Sequence, residues 1–163
     1  MAEWVAIALG SNLGDRRGHL DWAIDRLGRV LTDLRASSAI ETDPVGVSGQ
    51  QPLYLNAAVV GGTTLEPGPL LDRLLEIERA RGRERAAPRA PRTLDLDLIL
   101  YGDRVLDDAG LVVPHPRFRD RMFVLQPLAE IAPAWRDPVT GLTIEDLRRR
   151  LAAAGEPYVP RAR

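Results

Sequence analysis

Asp95 and Asp97 stand in residues 91–102, PRTLDLDLILYG, a stretch otherwise dominated by leucine. Side chains alternate along a strand, which predicts Leu94, Leu96, Leu98 and Leu100 on a core face and Thr93, Asp95, Asp97, Ile99 and Tyr101 on the other. The two carboxylates then share a face with Cα atoms roughly 6.5 to 7 Å apart. That is near enough to converge on one cation and, without one, to repel. Residues 79–92 hold six arginines (Arg79, Arg81, Arg83, Arg85, Arg89 and Arg92) against Glu84 alone, whereas residues 93–108 hold five aspartates against Arg104. A polyphosphate carried on Mg²⁺ needs both signs side by side, carboxylates for the hard cation and guanidiniums for the oxygens it leaves uncovered. A solvated edge strand with aspartates paired to arginines would give the same D-x-D pattern. The leucine-rich surroundings and the arginine-rich loop favour metal binding. His115, set between two prolines and followed by Arg117, Arg119 and Arg121, opens a second basic cluster.

These side chains need a scaffold. The start, MAEWVAIALGSN, whose apolar run breaks after Leu9, reads as a first strand, and GSNLGD as a strand-to-helix turn, because it lacks the lysine and spacing of a phosphate loop. Asp15 is the expected N-cap of a helix reaching about residue 35, with Leu20, Ala23, Ile24, Leu27, Val30, Leu31 and Leu34 at helical spacing. Residues 37–43 read as a short strand, DPVGVSGQQP (43–52) as a loop, and 53–62 as a long strand with Tyr54 and Asn56 on one face. A second helix is expected over 67–81, with Leu70, Leu71, Leu74, Leu75 and Glu78 along one stripe and Gly82 as its stop. Partial helix over 117–129 and a last helix between the cap Thr143 and Gly155 complete the order. Strand, helix, strand, strand, helix, strand is the ferredoxin-like βαββαβ plan. It predicts an α+β fold: a largely antiparallel sheet, helices on one face, and extra C-terminal elements.

Composition narrows the chemistry. With 163 residues, 45% apolar and 28% charged, the chain is sized for one soluble domain spanning 1–163, with a loose tail beyond about 155. All 22 basic residues are arginine, which excludes a lysine Schiff base and a Walker-type loop. Absence of cysteine excludes thiolate chemistry and suits a reducing cytoplasm, and the first residues read as neither signal peptide nor membrane span. The net charge of −1 argues against nucleic acid as a partner.

ALGSNLGD (8–15), YLNAA (54–58), PRTLDLDLILYG (91–102), VPHP (113–116) and RMFVLQPLAEIAP (121–133) together resemble the 6-hydroxymethyl-7,8-dihydropterin pyrophosphokinases of folate biosynthesis. The resemblance runs from about Val5 to Leu147. It implies transfer of the terminal pyrophosphoryl group of ATP to the hydroxymethyl group of the pterin, with release of AMP. It further implies two Mg²⁺ held by Asp95 and Asp97, Asp97 also being a candidate to assist deprotonation. Arg83 and Arg92 would engage the phosphates in the transition state, and Glu78, Arg85, Leu98, His115 and Arg121 would line the nucleotide site. Tyr54 and Phe123 would sandwich the pterin, Asn56 would bond its polar edge, and Thr42, Pro44 and Val45 would add contacts. A monomeric cytoplasmic enzyme is implied, binding neither nucleic acid nor membrane. Where the family pattern has Arg-Trp-Gly-Pro-Arg this chain has PRAPR, with Arg89 at the tryptophan position and Ala90 at the glycine, so altered loop closure is expected. Two other readings of the residues stand beside this one. One is a different Mg-dependent nucleotidyl or diphosphate transferase; the other is a non-enzymatic ferredoxin-like module that binds RNA.

Overall fold

The computed structural model describes residues 2–42, 53–82 and 93–155. Strand β1 (Glu3–Ser11) is buried on both faces from Val5 onward. It lies between β4 (Tyr54–Thr63) and β5 (Asp95–Tyr101), pairing antiparallel with each. Strands β2 (Thr32–Ala36) and β3 (Ile40–Thr42) pair with different stretches of β4, so the order is β2 or β3, then β4, β1 and β5. Helix α1 (Arg16–Leu27) connects β1 to β2 and α2 (Pro67–Ala80) connects β4 to β5. This is the expected ferredoxin-like order.

The two helices seal one face of the sheet: Leu20, Leu27, Leu70 and Leu74 pack on Ile7, Leu9, Val59 and Leu96. Helices α3 (Met122–Ile131) and α4 (Ile144–Ala153) pack on the other face over Ala6, Ala8, Ala58, Val60, Ile99 and Leu100. Helices therefore cover both faces, correcting the expectation of one. The C-terminal extension is a second layer that removes Val60, Ile99 and Leu100 from water.

Three further expectations change. Helix α1 ends at Leu27 rather than near residue 35: the chain turns at Gly28, and Asp33 (φ 51°) lies at a register irregularity in β2. Leu31 still reaches the α1/α2 core, from a turn instead of a helix, so helical spacing misled there. Of the strand expected over 37–43 only β3, at Ile40–Thr42, forms, and β2 lies ahead of it, mostly in residues expected to be helical. Finally, β5 carries a bulge, since Ala6 faces Leu100, Ile7 faces Leu98, and Ile99 is the extra residue. Leu100 therefore joins the α3/α4 core. Tyr101 joins the α1/α2 core, its hydroxyl donating to the Leu65 carbonyl at 2.5 Å. Alternation had assigned each to the opposite face.

Helix α2 and the last helix form where expected. The latter starts at a capping box in which Thr143 and Asp146 bond each other's backbone N–H. Strands β6 (Leu106–Asp108) and β7 (Leu111–Val113) form a small hairpin that the sequence reading did not include. A cis Val113–Pro114 peptide and a short 3₁₀ turn, Phe118–Asp120, lead from it into α3.

Candidate functional site

The α3/α4 layer covers only part of its face, and the candidate residues occupy the other end. Directly opposite residues in antiparallel strands share a face. Register therefore lines up Asp95, Gly10, Asn56 and Ile40 in one row across β5, β1, β4 and β3. The next row is Asp97, Ala8 and Ala58, and the Thr42–Tyr54 pair lies on the other side of the first. Thr42, Tyr54, Asn56, Asp95 and Asp97, drawn from three strands far apart in sequence, are thus gathered on one surface. Gly10 forms its floor. A Cβ at that position would lie 3.1 Å from Asn56 Oδ1 and 3.4 Å from the Tyr54 ring, so the glycine leaves room that any other residue would fill. The buried Asn56 amide donates through Nδ2 to Thr42 Oγ1 at 2.5 Å, which turns its carbonyl oxygen toward Gly10 as an acceptor for a ligand.

Asp97 is exposed and Asp95 half-buried, while Leu94, Leu96 and Leu98 point into the α1/α2 core. Leu98 therefore offers the acidic face only its backbone. Glu78, on the stripe of α2 that carries Leu70 and Leu74, is 2% exposed. Its Oε2 accepts the Leu96 N–H at 2.8 Å, so α2 grips β5 midway between the two aspartates. Among the described residues no group of three or more His, Asp or Glu could enclose a metal. The donor set is an open pair of carboxylates, which suits Mg²⁺, an ion that keeps water and phosphate oxygens among its ligands.

The chain after β7 supplies the border. The His115 backbone N–H bonds the carbonyl of bulged Ile99 at 2.9 Å, anchoring the histidine beside the acidic end of β5. Burial lowers the His115 pKa, Asp97 draws it back up, and Arg121 and Arg117 push it down, leaving it below its ordinary value. The neutral ring accepts the Arg117 N–H at Nδ1 (3.1 Å), so Nε2 carries the proton. Arg121 lies at the junction of the 3₁₀ turn and α3, its guanidinium 5.6 Å from the Phe123 ring in the first turn of α3. Two tethers fix this border. Glu130 of α3 accepts both the N–H and the hydroxyl of Ser38, at 3.0 and 2.7 Å, and Arg119 forks onto the fully buried Asp137 at 2.5 and 2.8 Å.

Pro44, Val45, Arg83, Arg85, Arg89, Ala90 and Arg92 lie outside the described residues. Sequence reasoning passed over Gly10 as a site element and Arg16 altogether. The signal for Gly10 was a glycine inside a core strand. A solvent-open cleft of about 460 Å³, lined by Gly14, Asp15, Arg16, Arg17, Glu41 and Leu55, is on the α1 side of the sheet, away from the acidic pair.

Fold and candidate site together define a class: a ferredoxin-like α+β domain whose open face sets two carboxylates beside a histidine and an arginine. Sequence comparison narrows the class. The sequence model of the 7,8-dihydro-6-hydroxymethylpterin-pyrophosphokinase (HPPK) family matches residues 6–133, and the chain belongs to that family. The 2-amino-4-hydroxy-6-hydroxymethyldihydropteridine pyrophosphokinase of Synechocystis is 46% identical over 143 residues, covering 86% of this chain and 72% of the relative. Its Bacillus subtilis namesake is 46% identical over 127 residues, covering 77% and 75%. Among solved structures, wild-type HPPK-DHPS of Plasmodium falciparum superposes with a TM-score of 0.72 at 14% identity, over 94% of this chain and 45% of that one. This chain thus spans under half of that structure, and the likeness concerns the fold.

Proposed function

We infer that this chain transfers pyrophosphate from ATP to 6-hydroxymethyl-7,8-dihydropterin, releasing AMP, in folate synthesis. Family membership supports the reaction, and one observation carries its assignment to a site: the row that brings Asp95, Gly10 and Asn56 together across three strands. In that reading the pterin lies on the Gly10 floor between Tyr54 and Phe123. Its N–H edge meets the Asn56 carbonyl oxygen, and its hydroxymethyl group points toward the aspartates. Asp95 and Asp97 would hold two Mg²⁺, which when bound would neutralise the triphosphate and make its phosphorus more electrophilic. His115 Nε2–H and Arg121 donate to phosphate oxygens, and Arg83, Arg85 and Arg92 complete the anion cradle. The hydroxymethyl oxygen forms a bond to the β-phosphorus, the bond from that phosphorus to the α–β bridging oxygen breaks, and the hydroxyl proton is lost. Positioning and charge neutralisation carry such a transfer without a protein nucleophile. We assign the reaction to a monomer working in the cytoplasm, with residues 1–163 acting as one domain. No helix among the described residues is long and apolar enough to cross a membrane.

Incubation with Mg-ATP and hydroxymethyldihydropterin tests this reading through the nucleotide released. Pterin-dependent AMP is expected. ADP would indicate transfer of a single phosphoryl group, and absence of turnover would return the fold to its other uses.

A further inference from the structure

Thr42 and Tyr54 form the outermost described rung of the β3–β4 ladder, on an edge strand of only three residues. So short a pairing has few hydrogen bonds of its own to keep it in register. One side chain grips it from behind. Arg16, the first residue of α1, sends Nη2 to Glu41 Oε1 at 2.7 Å and Nη1 to the Leu53 carbonyl at 2.8 Å. Glu41 precedes Thr42 and Leu53 precedes Tyr54. In this antiparallel register a single guanidinium therefore holds the rung on both of its sides. Glu41 is directly opposite Leu55, a residue of the α1/α2 core, so the grip is on the face away from Thr42, Tyr54 and Asn56.

The anchor is itself fixed. Asp15 caps α1 by accepting the Gly18 N–H at 3.0 Å, and Gly14, at φ +69°, makes the turn that brings Arg16 back over the strand ends. The Arg16 and Glu41 side chains are 28% and 13% exposed, sheltered enough for a charge-assisted pair to outlast salt screening. A planar fork reaching a carboxylate and a carbonyl at once is a task for arginine that a lysine ammonium performs less well.

We propose that Arg16 is a positioning residue for the ring-binding subsite: through Glu41 and the Leu53 carbonyl it sets the relative placement of Thr42, Tyr54 and Asn56 from the opposite face of the sheet. This rests on the pterin reading given above. Asn56 depends on the staple because its amide orientation is fixed by the Thr42 hydroxyl. The acidic pair does not, since β5 is held by β1 and by Glu78.

The test is steady-state kinetics for both substrates, with binding of Mg²⁺ plus a non-hydrolysable ATP analogue. Arg16→Met should raise the KM for hydroxymethyldihydropterin about tenfold, equivalent to one lost hydrogen bond, while analogue affinity stays within about twofold. Arg16→Lys should recover part of the loss, and adding Glu41→Gln to Arg16→Met should cost little more, because both act on one contact. If Arg16→Met fails to fold, Glu41→Gln decides alone: a raised pterin KM supports the staple and an unchanged one overturns it. Equal losses for pterin and nucleotide would mark Arg16 as merely structural and overturn the inference too. Pterin-dependent AMP from the unmodified enzyme with an unchanged KM in Arg16→Met sinks the staple alone. No AMP from the unmodified enzyme sinks the functional reading together with it.

Discussion

The two faces of this sheet are built from alternate residues of the same strands and are put to opposite uses. On the α1/α2 face β1 contributes Val5, Ile7 and Leu9, β5 contributes Leu96 and Leu98, and Leu94 joins them from just before β5, all buried. On the other face β1 contributes Ala6, Ala8 and Gly10, shrinking toward the end that α3 and α4 leave open. Bulk is removed at the end where the polar side chains of β3, β4 and β5 gather. Stability is thus concentrated on one side of each strand and chemistry on the other, an arrangement that single substitutions in neighbouring residues can separate.

The largest expected effect is on the open face. Asp97→Asn should lower kcat by at least a hundredfold, roughly the loss of about 3 kcal/mol of transition-state stabilisation. The melting temperature should hold or rise, because the variant also removes repulsion between two carboxylates on one face. A calorimetric scan alongside the AMP assay checks both, and a fall in stability matching the fall in rate would contradict the division of labour. On the sealed face Leu9→Ala should cost about 3 kcal/mol in urea unfolding, since Leu9 is 2% exposed in a close-packed core. Both substrate KM values of the folded fraction should stay within about twofold. One residue along, Gly10→Ala should leave stability nearly unchanged yet raise the pterin KM about tenfold, through the new Cβ 3.1 Å from Asn56 Oδ1. Pterin affinity equal to wild type would mean that the ring does not lie on that floor.

The difference between the faces also explains what the sequence could reveal. Leu-Asp alternation in β5 announced one apolar and one acidic face, and Asp15, Gly82 and Thr143 marked helix ends, because alternation and capping are local physics. The bulge at Ile99 was not legible: nothing in LDLDLILY distinguishes a regular strand from one that slips by a residue, and only pairing with β1 reveals that Leu100 and Tyr101 exchange faces. Helical spacing through Leu34 misread the end of α1 because Leu31 finds the same core from a turn. Residue types named Asp95, Asp97 and His115 as candidates. The row linking Asp95 to Asn56 through Gly10, and the bond from the Leu96 N–H to Glu78, are products of tertiary register that spacing does not encode.

The smallest effect follows from how the second layer is held. The α1/α2 face is closed chiefly by hydrocarbon, with Glu78 and the Arg16–Glu41 pair as its polar exceptions. The segment bordering the open face is pinned by Arg119 on Asp137. Burial pushes the Asp137 carboxyl up, but bonds from Arg119, Thr140 and the Val139 N–H together outweigh it and leave the pKa below its ordinary value. A carboxylate with a depressed folded-state pKa contributes stability that is complete above its unfolded value, about 3.9, and is lost as pH falls through the folded one. Asp137→Asn should therefore be less stable than wild type by about 1 kcal/mol at pH 7. That gap should stay level down to about pH 5 and close as the pH drops below about 4. Glu145, held at about 2 by hydrogen bonds from Arg148 and Arg149, is common to both proteins and cancels in the difference. Urea titrations from pH 7 to pH 3 measure the gap directly. A gap of constant size at pH 3 would mean that packing, not charge, secures the border of the open face, and the contrast between the two layers would rest on shape alone.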